Sequence, residues 1–439
     1  MKTRRWRGGV VGIVLLILLG VLAAPGIGSS GGSQTIHAQS TGGTAMLAVM
    51  GTDGNLYLYD ANGQNPIALT TDAVPDRKTY SWGTWATDGR LAFFGFSFDP
   101  ADPYTLRVFV RPAGGGAYRT AYTSLDEIFT YACWSPADCA GGGETGCRDL
   151  ALLFTPADQQ ALALRLIRDQ GETFSERLVG RAAPFYYSFS PDGKSMLWHR
   201  FARQLERYDI ESGETTRLAD SPGAFQAPMW SPVDDRLLFA VRGEEVNTND
   251  LVIAEGDNRT TILSGQPSTI AFAWSPDGQK VAATVNSSTL IVIDVAGGIT
   301  LNMNQSGPAL AYFWSPNSDK IAFLSLKKND NAPIAYRSNG HQSPHPPQQS
   351  PHQFTWYVLD VAANKTDVLA DFTPTAEMLY YLNFADQFSR SHRLWSPDGR
   401  YFAYGSMEGT GTAGVYLADV TAPGTTTRIG DGTIGIWSW

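Results

Sequence analysis

The chain has 439 residues, among them 45 glycines and 25 prolines, and only 17% of its residues are charged. This composition is typical of a turn-rich β protein and argues against a disordered chain. The net charge of −9 becomes −13 without segment 1–38, which carries four basic and no acidic residues. An acidic chain of this kind is a poor binder of nucleic acid or of an anionic membrane surface.

The N-terminal segment has the pattern of an export signal. Four basic residues precede an apolar run, 10–24, that is too short for a typical membrane-spanning helix and suits a signal-peptide core. The sequence Ile36-His37-Ala38-Gln39 offers a cleavage site after the small residue Ala38. We predict that 1–38 is a signal peptide or, if uncleaved, a membrane anchor, and that 39–44 is a linker. The rest is then expected in the periplasm, in the extracellular space or on the outer face of the cell membrane.

A hairpin motif recurs along the rest of the chain. Residues 274–278 read Trp-Ser-Pro-Asp-Gly, an order that favours a type I turn between two short strands. Residues 395–399 are identical, and 189–193 differ only in a Phe for the Trp. Partial copies begin at Trp85, Trp134, Trp230, Trp314 and Trp437. Most neighbouring copies lie 40–55 residues apart, a spacing typical of four-stranded propeller blades.

A second signature follows each hairpin by about 20 residues, as the blade repeat requires. It is an apolar strand that ends in Asp before a turn, at Asp60, Asp209, Asp294, Asp360 and Asp419. Together the two signatures define strands A to D of one blade. For the sixth blade they predict strands over 270–274, 280–285, 289–294 and 299–303.

These paired motifs resemble the repeat of TolB-type β-propellers, and the resemblance covers roughly 45–439. It implies an all-β fold consisting of a single β-propeller. It does not imply one activity, because the family includes partner-binding periplasmic proteins, accessory domains of peptidases and sugar-acid lyases. TolB itself carries an α/β domain before its propeller, whereas only about 40 residues precede the first strand here.

The count of motifs predicts eight blades, with seven as the alternative. The last motif supplies a strand A with no strands after it, while 45–50, 55–60 and 66–69 look like strands B, C and D without an A. Pairing of 434–439 with 45–50 would complete one blade and remove two exposed sheet edges. We therefore predict a ring closed by its two termini.

Propeller geometry separates two faces. The A–B and C–D hairpins form what we call the regular face, since their turns are short and alike. The B–C loops and the D–A crossings between blades form the irregular face, which includes the inserts 327–353 and 371–393. Variable loops on a rigid scaffold commonly carry binding sites, so binding is expected on the irregular face.

The two inserts leave alternatives open. His341, His345 and His352 lie in the first, which is either a metal site, a proline-rich docking peptide or a solvated loop. No carboxylate or cysteine lies among these histidines, so we predict no metal site. The second insert is either a patch for a protein or a glycan or a short helix whose aromatic side chains pack on the blades. Its aromatic residues are Tyr380, Tyr381, Phe384 and Phe388.

The candidate partner-binding residues are these four together with Tyr80, Phe98 and Tyr104, which lie in or beside other loops of the irregular face. The partner is expected to be a protein or a carbohydrate, and the chain a monomer. No cofactor is expected.

Two of the three cysteines bracket a glycine-rich hairpin. We predict a disulfide between Cys139 and Cys147, because export favours oxidation and the glycines let the ends meet. Cys133 is expected to be a free, buried side chain.

No catalytic motif stands out. Outside the glycine- and serine-rich stretch of segment 1–38 the sequence has no Gly-x-Ser-x-Gly, and it lacks His-Glu-x-x-His and a phosphate-binding loop. His199 and His392 are candidates by location alone. We therefore predict a non-catalytic exported scaffold, with a secreted propeller-based polysaccharide lyase or hydrolase as the alternative. Such an enzyme would need carboxylates, histidines and a metal that converge on the central channel.

Overall fold

The computed structural model describes residues 45–98, 104–139, 146–158, 160–285, 289–303, 308–327, 353–409 and 411–439. The strands of these residues form eight antiparallel sheets arranged in a ring. The chain is therefore an eight-bladed β-propeller, which confirms the predicted fold and removes the seven-bladed alternative.

Blade one contains β1 (Leu47–Met50), β2 (Leu56–Tyr59) and β3 (Ile67–Ala68), and blade two contains β4 (Lys78–Trp85), β5 (Leu91–Ser97), β6 (Thr105–Arg111) and β7 (Arg119–Ser124). Blade three contains β8 (Glu127–Trp134), β9 (Arg148–Pro156), β10 (Leu162–Asp169) and β11 (Phe174–Ala182). Blade four contains β12 (Phe185–Phe189), β13 (Ser195–Arg200), β14 (Gln204–Asp209) and β15 (Thr215–Arg217).

Blade five contains β16 (Met229–Trp230), β17 (Leu237–Arg242), β18 (Asn249–Glu255) and β19 (Asn258–Gln266), and blade six contains β20 (Phe272–Trp274), β21 (Lys280–Val285), β22 (Thr289–Asp294) and β23 (Gly298–Met303). Blade seven contains β24 (Ala311–Trp314), β25 (Lys320–Leu326), β26 (Phe354–Asp360) and β27 (Lys365–Phe372), and blade eight contains β28 (Tyr401–Met407), β29 (Ala413–Asp419) and β30 (Thr426–Asp431). The last strand, β31 (Ile434–Trp437), belongs to blade one.

The repeated turn is held by a small hydrogen-bond network. In blade six the Gly278 amide donates to the Ser275 carbonyl at 2.9 Å, which closes the four-residue turn. The Ser275 hydroxyl donates to the Asp277 carboxylate at 2.5 Å and accepts from the Lys280 amide at 2.9 Å. Gly278 has a φ of +67°, a conformation that a side chain would strain. Serine, aspartate and glycine are therefore needed here for the turn itself.

The tryptophan of the motif joins neighbouring blades. The Trp314 indole donates to the Ala273 carbonyl at 3.3 Å, and the Trp395 indole donates to the Phe313 carbonyl at 3.0 Å. In each case the acceptor is the residue just before the tryptophan of the preceding blade. Trp85 repeats this contact across the junction with blade one, where its indole donates to the Ile436 carbonyl at 3.2 Å.

The termini close the ring as predicted. Strand β31 pairs antiparallel with β1, with Trp437 opposite Leu47 and Ile434 opposite Met50. Trp437 is fully buried. Blade one is thus built from three strands of the N-terminal end and one of the C-terminal end.

Blade eight departs from the pattern, because it has three strands and no innermost one. The preceding crossing forms two helices instead, α1 (Ala376–Asn383) and α2 (Ala385–Phe388). Thr375 caps α1: its hydroxyl accepts from the Met378 amide at 3.1 Å and donates to the Thr433 carbonyl at 2.6 Å. After the helices, a single bridge between Trp395 and Phe402 is what remains of strand A.

The apolar core lies between the blades rather than at one centre. One cluster of buried side chains joins blades one to four with seven and eight and includes both helices. A second cluster fills the contacts from blade four through blade seven. The helices therefore belong to the larger cluster and link distant parts of the ring.

Candidate functional site

Residues 376–393, which we call the channel segment, lie within the ring and contact innermost strands on opposite sides. The Phe388 ring lies 5.2 Å from Trp82 in blade two and 5.1 Å from Tyr131 in blade three. The Tyr381 ring lies 5.8 Å from Phe313 in blade seven. Because these strands line the central channel of a propeller, the channel segment fills much of that channel.

Polar contacts fix the channel segment to the same strands. The Gln387 side chain donates to the Tyr187 carbonyl at 2.9 Å and accepts from the Tyr187 amide at 3.3 Å, as a paired strand would. The Thr84 hydroxyl donates to the Ser391 carbonyl at 3.1 Å. The chain thus runs from the irregular face, where α1 begins, toward the regular face, where the Arg393 carbonyl accepts from the Trp437 amide at 2.8 Å.

The aromatic residues predicted to bind a partner are divided between burial and partial exposure. Tyr381 and Phe388 are 0% and 1% exposed, so they contact the propeller itself. Tyr380 and Phe384 are half-buried, with ring centroids 5.3 Å apart, and the Tyr380 hydroxyl donates to the Thr130 carbonyl. The second insert therefore contains a short helix that packs aromatic side chains on the blades, which is the second of the two alternatives given above. Of these four residues, Tyr380 and Phe384 keep exposed surface, and a partner role of the insert stays a prediction.

The other three candidates lie together at the irregular end of blade two. The Phe98 and Tyr104 rings are 5.4 Å apart, and both residues are half-buried. Tyr80 is buried, with its hydroxyl donating to Asp72 at 2.7 Å. Beside Tyr80 is a cleft of about 190 Å³. Its other lining residues are Lys78, Gly95, Phe96, Ser97, Arg107 and Phe109.

The two candidate histidines lie apart and have different neighbours. His199 stacks on Phe225 at 4.2 Å and its Nδ1 lies 2.8 Å from the Gln226 carbonyl oxygen. His392 is fully buried in the channel segment, with its Nδ1 2.6 Å from the Ser391 hydroxyl. Burial lowers the pKa of His199 and lowers that of His392 to about 3, so both are neutral near pH 7. Within the described residues, no group of three or more His, Cys, Asp or Glu is arranged to hold a metal ion.

A buried pair of ionisable groups lies on α2 and just after it. Asp386 and Arg390 are separated by one helical turn and are 7% and 4% exposed. Burial raises the pKa of Asp386 to about 8 and lowers that of Arg390 to about 10. At neutral pH the carboxyl is therefore mostly protonated while the guanidinium keeps its charge. Sequence reasoning missed this pair, although a spacing of four residues in the insert was a signal for it.

Sequence reasoning also missed the uneven distribution of exposed apolar side chains. Among the described residues, six of the ten large exposed ones lie on the irregular face: Val74, Leu125, Phe201, Val246, Leu326 and Met407. Only Val233 lies on the regular face, and Ile67, Leu178 and Val368 are on outermost strands. The signal was a single apolar residue inside a polar loop, as at Val246, which follows two glutamates.

The enlarged hairpin of blade three is tied down on the regular face. A disulfide joins Cys139 to Cys147, with the Cα atoms 5.3 Å apart, and Cys133 is a free thiol. Arg148 reaches from this hairpin to blade two, where it donates to the Thr87 hydroxyl at 2.7 Å. Arg148 also contacts Asp138 at 2.8 Å. The disulfide closes the hairpin itself, and Arg148 links it to blade two.

The N-terminal segment 1–44, predicted to be an export signal and linker, and most of the histidine-rich insert, 328–352, lie outside the described residues. In the part of the chain that the structure describes, no helix is long and apolar enough to cross a membrane.

No family model and no curated protein matches the sequence. Solved structures do match. A eukaryotic initiation factor is 10% identical, with 90% of this chain and 98% of that one covered and a TM-score of 0.50. TolB from Acinetobacter baumannii is 14% identical, with 84% and 83% covered and a TM-score of 0.35. An oligogalacturonate lyase in complex with manganese is 14% identical, with 85% and 96% covered and a TM-score of 0.45. At such identities the likeness concerns the propeller fold alone.

Proposed function

We propose that the chain is an exported, non-catalytic scaffold that binds a protein partner through its irregular face and acts as a monomer. The export part of the proposal depends on the basic and apolar pattern of segment 1–38. The acidic charge of the remainder supports a protein partner over nucleic acid.

The observation that carries the proposal is the gathering of exposed apolar side chains on one face. Val246 is 89% exposed at the tip of a B–C loop, and Leu125 is 64% exposed in a D–A crossing. The six side chains lie on six different loops of this face, so together they offer apolar contacts to a partner that spans it. The regular face of the same ring has Val233 as its one large exposed apolar residue among those described, so the asymmetry is within a single molecule.

The chemistry of these side chains favours a protein over a carbohydrate. Five of the six are aliphatic or methionine, whereas sugar rings are bound by stacking on aromatic faces with polar groups nearby. A carbohydrate is the second candidate, and the cleft at blade two supports it, because Tyr80, Phe96 and Phe109 line it together with Lys78 and Arg107.

Catalysis in the channel is not favoured. A lyase or hydrolase of propeller type needs ionisable groups that meet at an accessible channel mouth. Here the channel segment occupies that space, and three of its ionisable residues, Asp386, Arg390 and His392, are at most 7% exposed.

The proposal is tested by a paired capture experiment with the chain from residue 39 onward. One variant carries Leu125→Asp and Val246→Asp on the irregular face. The matched control carries Leu178→Asp on an outer strand and Val233→Asp on the regular face. Both variants are compared with the wild-type chain for proteins captured from the exported fraction of the source cells, and a glycan array is run in parallel.

We expect the irregular-face variant to lose a protein that the control retains, with binding weaker by about tenfold or more because charged groups would be buried in an apolar contact. Melting curves check that both variants are folded. The same captured proteins for all three chains would contradict the proposal. Glycan binding that depends on Phe96 would favour the second candidate.

A further inference from the structure

The cleft at blade two, which we call the blade-two cleft, is formed by strands β4, β5 and β6 at their irregular end. Its volume of about 190 Å³ exceeds the roughly 150 Å³ of an engineered protein cavity that binds benzene. The cleft therefore has room for one side chain or for the end of a peptide. Its lining residues are Lys78, Tyr80, Gly95, Phe96, Ser97, Arg107 and Phe109.

Gly95 explains why these strands leave a hollow. The register places it between Tyr80 on β4 and Arg107 on β6, so the three residues share one surface of the sheet. A β-carbon at Gly95 would lie 2.8 Å from Phe109 Cε2 and 3.2 Å from Tyr80 Cε1. A side chain there would collide with the Phe109 ring, so the space above the two rings stays open. A glycine inside a strand commonly marks a place where a ligand or another chain approaches closely.

The blade-two cleft is basic, although the chain as a whole has a net charge of −9. Its lining includes Lys78 and Arg107 but no Asp or Glu. Asp72 lies outside the lining, where its carboxylate accepts from the Lys78 ammonium and, at 2.7 Å, from the Tyr80 hydroxyl. These bonds hold Lys78 over the Tyr80 ring, with Nζ 5.4 Å from the ring centroid. Two cationic side chains above an aromatic floor favour a ligand with an anionic group, and a guanidinium is well suited to a carboxylate.

An exposed apolar side chain lies next to the basic cleft. In the crossing between blades one and two, the Val74 amide donates to the Lys78 carbonyl at 2.9 Å, and the Lys78 amide donates to the Val74 carbonyl at 2.8 Å. Val74 is 46% exposed. A ligand that matches both features has a carboxylate beside an apolar side chain. A protein supplies this combination at an Asp or Glu with an apolar neighbour, or at an apolar C-terminal residue.

We propose that the blade-two cleft binds a carboxylate of the partner protein, with Lys78 and Arg107 as its cationic contacts and Val74 against the neighbouring apolar side chain. The carboxylate comes either from an acidic side chain or from the C-terminus of the partner. This inference rests on the proposed function, because it assigns the cleft to the same protein partner.

The test measures the binding of three short peptides to the chain from residue 39 onward by ligand-observed NMR. N-acetyl-Ala-Ala-Leu has a C-terminal carboxylate, its C-terminal amide has none, and the amide of N-acetyl-Ala-Glu-Leu has a side-chain carboxylate. We expect at least one acidic peptide to bind with a dissociation constant of about 1 mM or lower, and the neutral amide to bind at least about tenfold more weakly. Binding of the first peptide alone would assign the cleft to a C-terminus, and binding of the glutamate peptide alone would assign it to a side chain.

The variants Arg107→Gln and Lys78→Gln each remove one cation, so each should weaken binding of the acidic peptide by about tenfold. Arg111→Gln is the matched control, because Arg111 lies at the opposite end of the same strand, and its affinity should equal that of the wild type. Melting curves check that all three variants are folded. Added NaCl should weaken binding of the acidic peptide and leave that of the neutral amide unchanged.

Three results would overturn the inference: no binding of either acidic peptide, equal binding of the acidic and neutral peptides, or wild-type affinity in both Arg107→Gln and Lys78→Gln. Failure here is distinguishable from failure of the proposed function. If the variant with Leu125→Asp and Val246→Asp still loses a captured protein, the irregular face binds a partner without help from a carboxylate in the blade-two cleft.

Discussion

Blades six and eight share the Trp-Ser-Pro-Asp-Gly hairpin, and yet only blade six has four strands. In blade six the innermost strand β20 leads directly into the motif. In blade eight the corresponding position is taken by α1, α2 and the residues up to Trp395. The hairpin motif therefore determines the middle of a blade, whereas the innermost strand can be replaced by any segment that satisfies its neighbours.

The channel segment supplies contacts across the ring where an innermost strand would pair with β28. Gln387 makes paired hydrogen bonds with the Tyr187 backbone, and Phe388 fills the space between blades two and three. Trp395 still donates to the Phe313 carbonyl of blade seven, as the motif tryptophan does elsewhere. Blade eight thus keeps its lateral contacts while giving up a strand.

The largest effect is expected where a blade is completed by a distant part of the chain. Deleting residues 434–439 removes β31 from blade one, exposes the edge of β1 and removes the fully buried Trp437. We expect the cooperative thermal transition to be lost or to move strongly downward, since burial of Trp437 alone accounts for about 3–5 kcal/mol and the edge of β1 is opened as well. Removing only Trp439 should have a much smaller effect. If the chain without residues 434–439 melted at the same temperature as the full-length chain, closure of the ring by the termini would be contradicted.

The next test asks whether the channel segment is as well packed as a strand. Phe388→Ala should reduce the free energy of unfolding by about 3–5 kcal/mol, as a buried aromatic does, and Phe272→Ala in β20 should cost a similar amount. Phe201→Ala is the control, because Phe201 is 38% exposed. Urea unfolding measures all three. A loss at Phe388 no larger than that at Phe201 would mean that the segment does not replace a strand.

Hairpin length gives a third contrast, between blades three and six. Blade six closes its A–B hairpin with a four-residue turn, whereas blade three closes a longer one with the disulfide across eight positions. Replacing Cys139 and Cys147 by Ala should cost about 2–3 kcal/mol in the loop-entropy account. Cys133→Ala serves as the control. Reductant should lower the melting temperature of the wild type and of the control, and should leave the double variant unchanged.

A pH dependence is also expected from the channel segment. The pKa of Asp386 is about 8 in the folded state against an ordinary value of 3.8, so the folded state keeps a proton that the unfolded state releases. Stability is then lost as the pH rises from about 4 to about 8, by up to about 1.4 kcal/mol per pH unit.

Asp386→Asn removes this titration. Its stability relative to the wild type should increase steadily over that pH range and stay constant outside it. The neighbouring Tyr186 does not interfere, because burial raises its pKa to about 12. Urea unfolding at several pH values measures both chains. Parallel pH profiles would show that Asp386 titrates as an exposed carboxyl.

The regular parts of the fold were predictable from the sequence for a physical reason. Turn residues such as Ser275, Asp277 and Gly278 act locally, so their spacing reports the blade period directly. Three strands of blade six were predicted to within one residue, and β20 began two residues later than expected. Closure of the ring could be predicted by counting strands, because the single strand at the C-terminal end and the three strands at the N-terminal end together make one complete blade.

The candidate site was less predictable, because tertiary contacts decide it. Tyr380, Phe384 and Phe388 recur at every fourth position, which indicates a helix, but nothing local indicates that the helix enters the channel. Likewise Val246 and Leu125 are single apolar residues, and a sequence does not distinguish exposed ones from buried ones. The division of the seven aromatic candidates into buried and half-buried sets therefore required the structure.

The measurement that most directly tests the central claim is amide hydrogen exchange of the full-length folded protein, read by mass spectrometry. If the channel segment replaces an innermost strand, its amides over 384–392 should exchange as slowly as those of β12 and β24, which require global opening. The exposed loop 243–248 of blade five provides the fast reference. Exchange of 384–392 at the rate of that loop would contradict the account.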